Sequence, residues 1–426
     1  MKSGRETMGF ASLLKKMRSV QTVATVGNTV GAAECLNISQ SAVVRAIQDV
    51  EAAMAFKVFE RSARGMRPTP LGQLLIHRIG RALDLFSQVD RHKELAAADV
   101  MARAPWQASR LASSVGYRHI QTFLSLLDTG HEKRTAASLG ISQSAVHQTL
   151  SQLEYMAGEA LFYRDRNGLR LTESGETAQK FFKLALAELA QAEEEVAAHK
   201  GELHGRIVIG TLPFSTGLFV PRALEDVLAR HPGLKVTVVD GTYESLLHQL
   251  RFADIDIIVG ALRDPVPGPD VQQETLFEDR LAVVARPDHP LAAQRLKGLK
   301  DLSGVAWIMP MPGTPAQAAF DQSFRAEGLA PPPASLRVNS PIMMQALLAA
   351  SDRVALMSSR QVDSEVRAGL LRVLPVPVRH AARRIGITTR TGFLPPPGAK
   401  LLLDAFRAVS RQIELENPVR LNKQNA

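Results

Sequence analysis

The stretch Ile-Ser-Gln-Ser-Ala-Val occupies Ile38–Val43 and occurs again, unchanged, at Ile141–Val146. The two copies are 103 residues apart, and the alignment extends on both sides without gaps. Within Gly27–Gly72, 16 of the 46 residues match the residue 103 positions further on. This spacing is too long for a solenoid repeat, so the sequence predicts a duplicated domain of about 60–70 residues with a connecting segment.

Each copy has the pattern of two helices around a tight turn. In the first copy Ala32–Leu36 is predicted as a short helix, Asn37 breaks it, and Ser39 is suited to cap the next helix. A short helix, a turn and a second helix with a small polar face predict a helix-turn-helix. The apolar stripe of the second helix consists of Val43, Ile47 and Val50 in one copy and Val146, Leu150 and Leu153 in the other.

A glycine-centred hairpin follows each second helix. Phe59–Arg67 and Phe162–Arg170 place Gly65 or Gly168 between arginines, which suits a hairpin turn. Such arginines would lie beside phosphates if the second helix sat in a DNA major groove, so each hairpin is interpreted as a wing. The predicted DNA contacts are Ser39, Gln40, Ser41, Val44, Arg45, Gln48, Arg61, Arg64 and Arg67 in the first copy, and Ser142, Gln143, Ser144, His147, Gln148, Arg164, Arg166 and Arg170 in the second.

With these motifs the chain resembles the LysR family of bacterial regulators. The family pattern is matched by Ala32–Leu36, Ser39–Val43, Val50-Glu51, Val58–Arg61 and Arg67–Gly72, and by Leu153-Glu154, Leu161–Arg164 and Arg170–Gly175. The sequence departs from the family in carrying two such domains, in having Val44 or His147 where serine is common, and in having Thr135 in the Ala-Ala pair. The resemblance implies a DNA-binding, effector-responsive transcription regulator.

Net charge differs between the copies. Val20–Arg81 carries seven basic and four acidic residues, whereas Phe123–Leu184 carries seven of each, and Met1–Ser19 adds five basic residues and one acidic residue. Phosphate contacts dominate affinity for DNA, so the first copy is predicted to make the main DNA contact. Two alternatives stay open: helix-turn-helix geometry also occurs in proteins that bind no nucleic acid, and one copy could serve only in dimerisation.

A long amphipathic helix is predicted after each copy, which the LysR resemblance interprets as a dimerising linker helix. We hypothesise that the two linker helices pack against each other within one chain; the alternative is that each pairs with its counterpart on a second subunit. The predicted domains are 1–95, the first winged helix-turn-helix with its linker helix; 96–114, a connector; 115–202, the second unit; 203–415, an effector-binding domain; and 416–426, a tail.

From Gly205 onward strands and helices alternate, which predicts an α/β domain with a mainly parallel sheet. The LysR resemblance implies two lobes like those of a periplasmic binding protein, with lobe one at about 205–275 and 384–415 and lobe two at about 276–383. The predicted fold is therefore two all-α-rich winged helix-turn-helix domains followed by an α/β two-lobed periplasmic-binding-protein-like sensor domain.

Ligands of such folds bind in the cleft, at strand carboxyl ends and helix amino ends. An aromatic residue stands at Phe214, where the family often has a hydroxyl, so Ser215 is a possible substitute. The alternative for Thr211 and Thr242 is that they only cap helices. Arg263 and Arg360 could pair with a carboxylate effector, but they are expected to be solvated surface residues and are not included among the predicted contacts. The predicted effector contacts are Thr211, Phe214, Ser215, Thr216, Thr242, Ala261, Asn339 and Ser340.

Composition excludes several other classes of protein. The net charge of +9 favours a polyanionic partner, Cys35 is the one cysteine, and no signal peptide or membrane-spanning stretch is apparent, so a cytoplasmic protein is expected. No catalytic, nucleotide-binding or metal motif occurs, so neither an enzyme nor a cofactor or metal site is expected. The expected partners are double-stranded DNA, a small-molecule effector, further copies in a dimer or tetramer, and RNA polymerase.

Two competing functions remain at this point. The first is an architectural DNA-binding protein whose sensor domain binds no ligand. The second is a bilobal solute-binding or catalytic protein with an accessory DNA-binding half, against which the absence of catalytic motifs and of a signal peptide argues.

Overall fold

A computed structural model of the chain describes residues 10–62, 65–90, 105–166, 168–213, 217 and 219–415. The chain divides into two compact units, with the boundary between His204 and Gly205. The first unit is built almost wholly from helices and the second is α/β. Among the described residues, no helix is both long and apolar enough to cross a membrane.

The first copy of the repeat forms three helices, a two-stranded wing and a longer helix. Its elements are α1 Leu14–Val26, α2 Thr29–Leu36, α3 Gln40–Met54, β1 Phe59–Ser62, β2 Gly65–Pro68 and α4 Pro70–Ser87. Two short helices follow, α5 Pro105–Ala108 and α6 Arg110–Ser114. The second copy comprises α7 Tyr117–Thr129, α8 Glu132–Leu139, α9 Gln143–Ala157, β3 Phe162–Asp165, β4 Gly168–Leu171 and α10 Glu173–His199.

Every element of the second copy begins 103 residues after its counterpart in the first. The caps are repeated as well: Ser39 and Ser142 cap α3 and α9, while Thr69 and Thr172 cap α4 and α10. A side-chain oxygen in this position accepts a hydrogen bond from one of the unpaired N–H groups of the first helical turn. Four of the shared motif residues therefore start helices.

The last part of the expected connector is helical and packed. In 96–114, residues 96–104 lie outside the described part of the chain, but α5 and α6 bury Trp106, Leu111 and Ala112. The Asp90 carboxylate accepts hydrogen bonds from Ser109 Oγ at 2.7 Å and from the Leu111 N–H at 2.9 Å. The tryptophan and leucine of this connector supply enough apolar surface to fold it onto the core.

The two copies share a single hydrophobic core, which runs from Phe10 to Val196. Helix α4 packs along α10, so the contact that we hypothesised between the two linker helices is present within the chain. Phe182 of α10 lies with its ring centroid 6.0 Å from that of Phe86 in α4 and 5.3 Å from that of Phe123 in α7. The two helices run antiparallel, because the C-terminal end of α4 meets the early part of α10.

The second unit contains eight strands and six helices among its described residues. The strands are β5 Gly205–Thr211, β6 Leu234–Asp240, β7 Ile257–Ala261, β8 Val271–Ala285, β9 Trp307–Ile308, β10 Val354–Ser358, β11 Arg372–Val373 and β12 Ala382–Arg390. The helices are α11 Phe219–Arg230, α12 Tyr243–Arg251, α13 Pro315–Ala326, α14 Pro341–Ala349, α15 Asp363–Arg367 and α16 Pro397–Leu415.

The sheet of the second unit is mixed, and the expectation of a mainly parallel sheet is wrong for its centre. The strand order is β6-β5-β7-β12-β8-β10-β9, with β11 also paired to β8. β5 is parallel to β6 and β7, but β12 is antiparallel to both β7 and β8. The reason is that β8 and β12 carry the chain between the two lobes in opposite directions, a feature that local sequence patterns do not reveal.

Each lobe of the second unit has its own core. In lobe one, Val208, Leu246, Leu250 and Ile258 belong to a cluster between the sheet and α12. In lobe two, clusters lie on the two faces of the short sheet around β10, one containing Trp307 and the other Met344. The carboxyl ends of β5, β6 and β7 and the start of α14 therefore face the space between two separately packed bodies.

Candidate functional sites

The second helix of each repeat presents one apolar and one polar face. All six residues of the predicted apolar stripes are buried. The predicted groove-facing residues lie on the exposed side of α3 and α9. Those exposed residues are Gln40, Ser41, Val44, Arg45 and Gln48 in α3, and Gln143, Ser144, His147 and Gln148 in α9; the N-caps Ser39 and Ser142 are exposed too.

A glutamate, buried in the first copy and half-buried in the second, fixes the second helix of each copy to its wing. Glu51 Oε1 accepts hydrogen bonds from the backbone N–H of Val58 at 3.0 Å and of Phe59 at 3.4 Å. In the second copy Glu154 Oε1 accepts the same pair of bonds, from Leu161 and Phe162, at 2.9 and 3.3 Å. A carboxylate that accepts backbone N–H bonds satisfies donors that the turn leaves unpaired. This explains the glutamate of the family motif.

The threonine and glycine of the family motif hold the start of the linker helix against the base of the same wing. Thr69 Oγ1 accepts from the Gly72 N–H at 3.0 Å and donates to the Lys57 carbonyl at 2.8 Å. Gly72 needs to be glycine because a Cβ there would come within 2.1 Å of the Val58 carbonyl oxygen. Gly175 has the same restriction against Leu161. The linker helix therefore starts in backbone contact with the base of the wing.

The wings carry exposed arginines on short antiparallel hairpins. Gly65 and Gly168 turn these hairpins at φ values of +112° and +120°, which only glycine adopts readily. Arg61 and Arg67 of the first wing are exposed, whereas Arg64 lies outside the described residues. In the second wing Arg164, Arg166 and Arg170 are all exposed, and Arg170 Nε lies 3.4 Å from Asp165 Oδ2.

The structure adds two basic residues that our sequence analysis did not select. Lys133 and Arg134, in the first turn of α8, are exposed and line a groove with Arg164, Arg166 and Gln143. The corresponding residues of the first copy are Val30 and Gly31. Their position at the amino end of the first helix was the available signal. Local charge near the groove-facing side therefore favours the second copy more than the summed charge suggested.

In the second unit, a cavity of about 840 Å³ lies between the two lobes. It is lined by Thr211, Thr242, Ala261, Asn339 and Ser340, so the structure brings these five predicted effector residues together. The other three, Phe214, Ser215 and Thr216, lie outside the described residues.

Three helix amino ends open on this cavity. Thr242, Thr314 and Ser340 cap α12, α13 and α14, and each accepts a hydrogen bond from a backbone N–H at 3.2–3.3 Å. Capping by Thr242 agrees with the alternative role considered above, whereas Thr211 lies at the end of β5 and its hydroxyl bonds to the Asp240 carboxylate. Thr314 was not selected from the sequence. Helix amino ends favour anionic groups nearby.

The charged groups of the cavity differ in how they are paired. Arg383 donates to Asp279 Oδ2 at 3.0 and 3.1 Å, and Ser358 Oγ donates to Asp279 Oδ1 at 2.7 Å, which joins β8, β10 and β12. Arg263 instead lies over the Tyr243 ring, 4.2 Å from its centroid, and burial lowers its pKa. No carboxylate of the described residues lies within ion-pair distance of Arg263, although the charge of Glu244, which lines the same cavity, acts on it.

Sequence families match both units. The model of the bacterial regulatory helix-turn-helix protein, lysR family, matches residues 14–73 and again 117–176, and the model of the LysR substrate binding domain matches residues 200–411. The HTH-type transcriptional regulator GalR of Pseudomonas putida is 33% identical over 396 residues, which cover 93% of this chain and 97% of that protein. The chain belongs to the LysR family. It is a DNA-binding transcriptional regulator with an effector-binding domain, and not an enzyme.

The matches to three further LysR proteins cover less of this chain. PcaQ of Agrobacterium fabrum is 28% identical over 299 residues, which cover 70% of this chain and 96% of that protein. Among solved structures, a full-length variant of OxyR from Pseudomonas aeruginosa has a TM-score of 0.56 at 22% identity and covers 70% of this chain and 97% of that chain. CbnR has a TM-score of 0.50 at 17% identity, with 70% and 99% covered. These two structures support the LysR fold.

Proposed function

We propose that this LysR-family regulator holds two winged helix-turn-helix domains in each chain, that both contact DNA, and that an effector bound between the lobes modulates the contact. The observation that carries the proposal is that the two copies repeat every element at an offset of 103 residues around one core, and that each exposes a polar face on its recognition helix. The match to GalR also supports the proposal. It extends over 396 residues and 97% of GalR, whereas 299 residues already cover 96% of PcaQ, so the GalR match contains an additional stretch of the length of one repeat copy.

The DNA-binding surface of this proposal comprises α3 and α9 with their wings. Phosphates would be contacted by Arg61, Arg67, Arg164, Arg166 and Arg170, while Arg45 and Gln148 occupy equivalent places near base edges. A regulator that acts on bacterial promoters works in the cytoplasm, to which we assign the chain. Association of chains into a dimer or tetramer remains part of the proposal.

Arg45→Ala tests the first recognition helix. If the Arg45 guanidinium reads a base edge, its loss should cost about 1–3 kcal/mol of binding free energy. If it contacts a phosphate, its loss should reduce the slope of log K against log salt by about 1. Binding of the full-length protein to its promoter fragment would be measured by fluorescence anisotropy at several salt concentrations. Arg295→Ala is the control, since it removes one exposed positive charge from the second unit. Equal affinities for the two variants would contradict a role for Arg45.

The effector of the proposal is a small organic acid with an apolar body. The cavity wall includes Pro213, Val220, Pro310 and Met311, while Arg263 supplies a cation that makes no ion pair with a carboxylate of the described residues. An apolar cavity with a few placed polar groups is the usual form of a small-molecule site. An acid would meet Arg263 and the helix amino ends at Thr242, Thr314 and Ser340.

Asn339→Trp tests the cavity. Asn339 is an exposed lining residue with no hydrogen bond to another described residue, so a bulky side chain there should fill the cavity without unfolding lobe two. We expect the variant to keep its Tm and its affinity for DNA, but to lose the rise in Tm that wild type shows with the active member of a panel of small aromatic and aliphatic carboxylic acids. Gln294→Trp, at an exposed site outside the cavity, should retain that rise. An unchanged rise in the Asn339 variant would place the effector elsewhere.

A further inference from the structure

A buried cluster of charged residues joins the two linker helices. Arg78 of α4 is 1% exposed, and its Nη1 donates to Glu188 Oε2 at 2.7 Å and to Gln191 Oε1 at 2.9 Å. Its Nε donates to Glu195 Oε1 at 3.2 Å, and Arg81 Nη2 donates to Glu188 Oε1 at 2.7 Å. A buried guanidinium requires such partners, because an unpaired charge in an apolar core is strongly destabilising.

The ionisation of the cluster matches this pairing. Burial alone would raise the pKa of the Glu188 carboxyl, but the hydrogen bonds and charges of Arg81 and Arg78 outweigh burial and hold it below its ordinary value. Burial would likewise lower the pKa of Arg78, and Glu195 and Glu188 raise it instead. Both partners are therefore charged when the helices are together.

The repeat makes the cluster asymmetric. The offset of 103 relates Arg78 to Phe181 and Glu188 to Leu85. The positions equivalent to the ion pair in the repeat are therefore occupied by two apolar residues. Phe181 and Leu85 both pack against the shared core. The charged pair and the apolar pair thus occupy equivalent places on opposite sides of an antiparallel helix pair.

Pairing of like helices would break this match. Two α4 helices would place Arg78 opposite Leu85 and Gln88, with Asp84 as the one acidic residue per helix against Arg78 and Arg81. Two α10 helices would place Glu188 opposite Phe181, in a helix that contains no arginine. Either pair buries charged groups without the partners they have here. Mismatched buried charges are a means by which interfaces exclude wrong partners.

We propose that Arg78, Arg81, Glu188 and Glu195 are specificity determinants that pair α4 with α10 and exclude α4–α4 and α10–α10 pairing. Each chain then carries a closed, non-identical pair of DNA-binding domains, and copies of the chain associate through other surfaces. The consequence, which rests on the proposed function, is that one chain binds two half-sites of different sequence, since Val44-Arg45 and His147-Gln148 differ. The connection within one chain favours this pairing further, because it raises the effective concentration of the two helices.

Pulsed electron spin resonance on the full-length chain tests the pairing. With Cys35 replaced by serine, spin labels would be attached at Gln48→Cys and Ser151→Cys, both exposed on the recognition helices. We expect doubly labelled chains to give one narrow distance that survives dilution with excess unlabelled protein, whereas any distance between singly labelled chains should be longer and should disappear on that dilution. A short distance between singly labelled Ser151→Cys chains would overturn the proposal.

Charge exchange tests the residues. Arg78→Glu with Arg81→Glu should abolish the narrow distance, and the addition of Glu188→Arg with Glu195→Arg should restore it; Arg118→Glu, an exposed arginine outside the cluster, is the control. Retention of the wild-type distance by the first variant, or no recovery in the fourfold variant, would overturn the assignment. Promoter binding is measured separately by anisotropy, so an intact distance without DNA binding would refute the proposed function and leave the pairing standing.

Discussion

Phe182→Ala should lower the free energy of unfolding of the helical unit by about 3–5 kcal/mol, the usual loss for a buried phenylalanine. Phe182 is fully buried, and its ring touches those of Phe86 and Phe123, which belong to the first and second copies respectively. Truncation leaves a cavity at the point where the two copies meet, and neither copy can close it alone. The loss would be among the largest expected for a single substitution in the unit.

The two tryptophans allow each unit to be followed separately. Trp106 is buried in the helical unit and Trp307 in lobe two, where it packs against Phe320 and Phe324. In a Trp307→Phe background, urea unfolding followed by fluorescence therefore reports on the helical unit alone. Tyr163→Ala, at a site that is 52% exposed, should change stability by less than about 0.5 kcal/mol. A loss below about 1 kcal/mol for Phe182→Ala would mean that the copies do not share their core in solution.

The helices and hairpins of the two repeat copies could be predicted because their signals are local. Ser39 and Ser142 each accept a hydrogen bond from the N–H three residues downstream, and the spacing of Val43, Ile47 and Val50 indicates one buried face without reference to any distant residue. The same holds for the hairpins at Gly65 and Gly168. Repetition of these signals at one offset strengthened each of them.

Several features that depend on distant residues were not predicted from the sequence. The antiparallel position of β12 follows from the return of the chain between the lobes, and the burial of Trp106 follows from packing on α4. The Asp279–Arg383 pair joins residues 104 positions apart, and Arg78–Glu188 joins residues 110 apart. No periodicity or spacing rule identifies such pairs, because the charges look like ordinary surface residues until the fold brings them together.

Gly72→Ala should separate the first linker helix from its wing and weaken DNA binding by the full-length protein. A Cβ at this position would lie 2.1 Å from the Val58 carbonyl oxygen, which is backbone and cannot rotate away. Overpacking of this kind costs about 1–3 kcal/mol and moves the neighbouring chain, here the base of the wing. Arg61 and Arg67 would then be displaced from phosphates, and each lost phosphate contact should make the slope of log K against log salt shallower by about 0.9.

Gly175→Ala imposes a similar overlap on the second copy, with a Cβ 2.1 Å from the Leu161 carbonyl oxygen. The two variants therefore test whether each copy contacts DNA through its wing. Gly80→Ala is the matched control, since its Cβ would meet only the flexible end of Gln21, at 3.1 Å. If both copies contact DNA, each glycine variant should reduce affinity and salt slope while the control does neither. Loss in the Gly72 variant alone would restrict DNA contact to the first copy, and an unchanged slope in both would refute the wings as phosphate contacts. The difference between the losses of DNA affinity in the two variants measures how unequally the two copies contribute to the binding free energy.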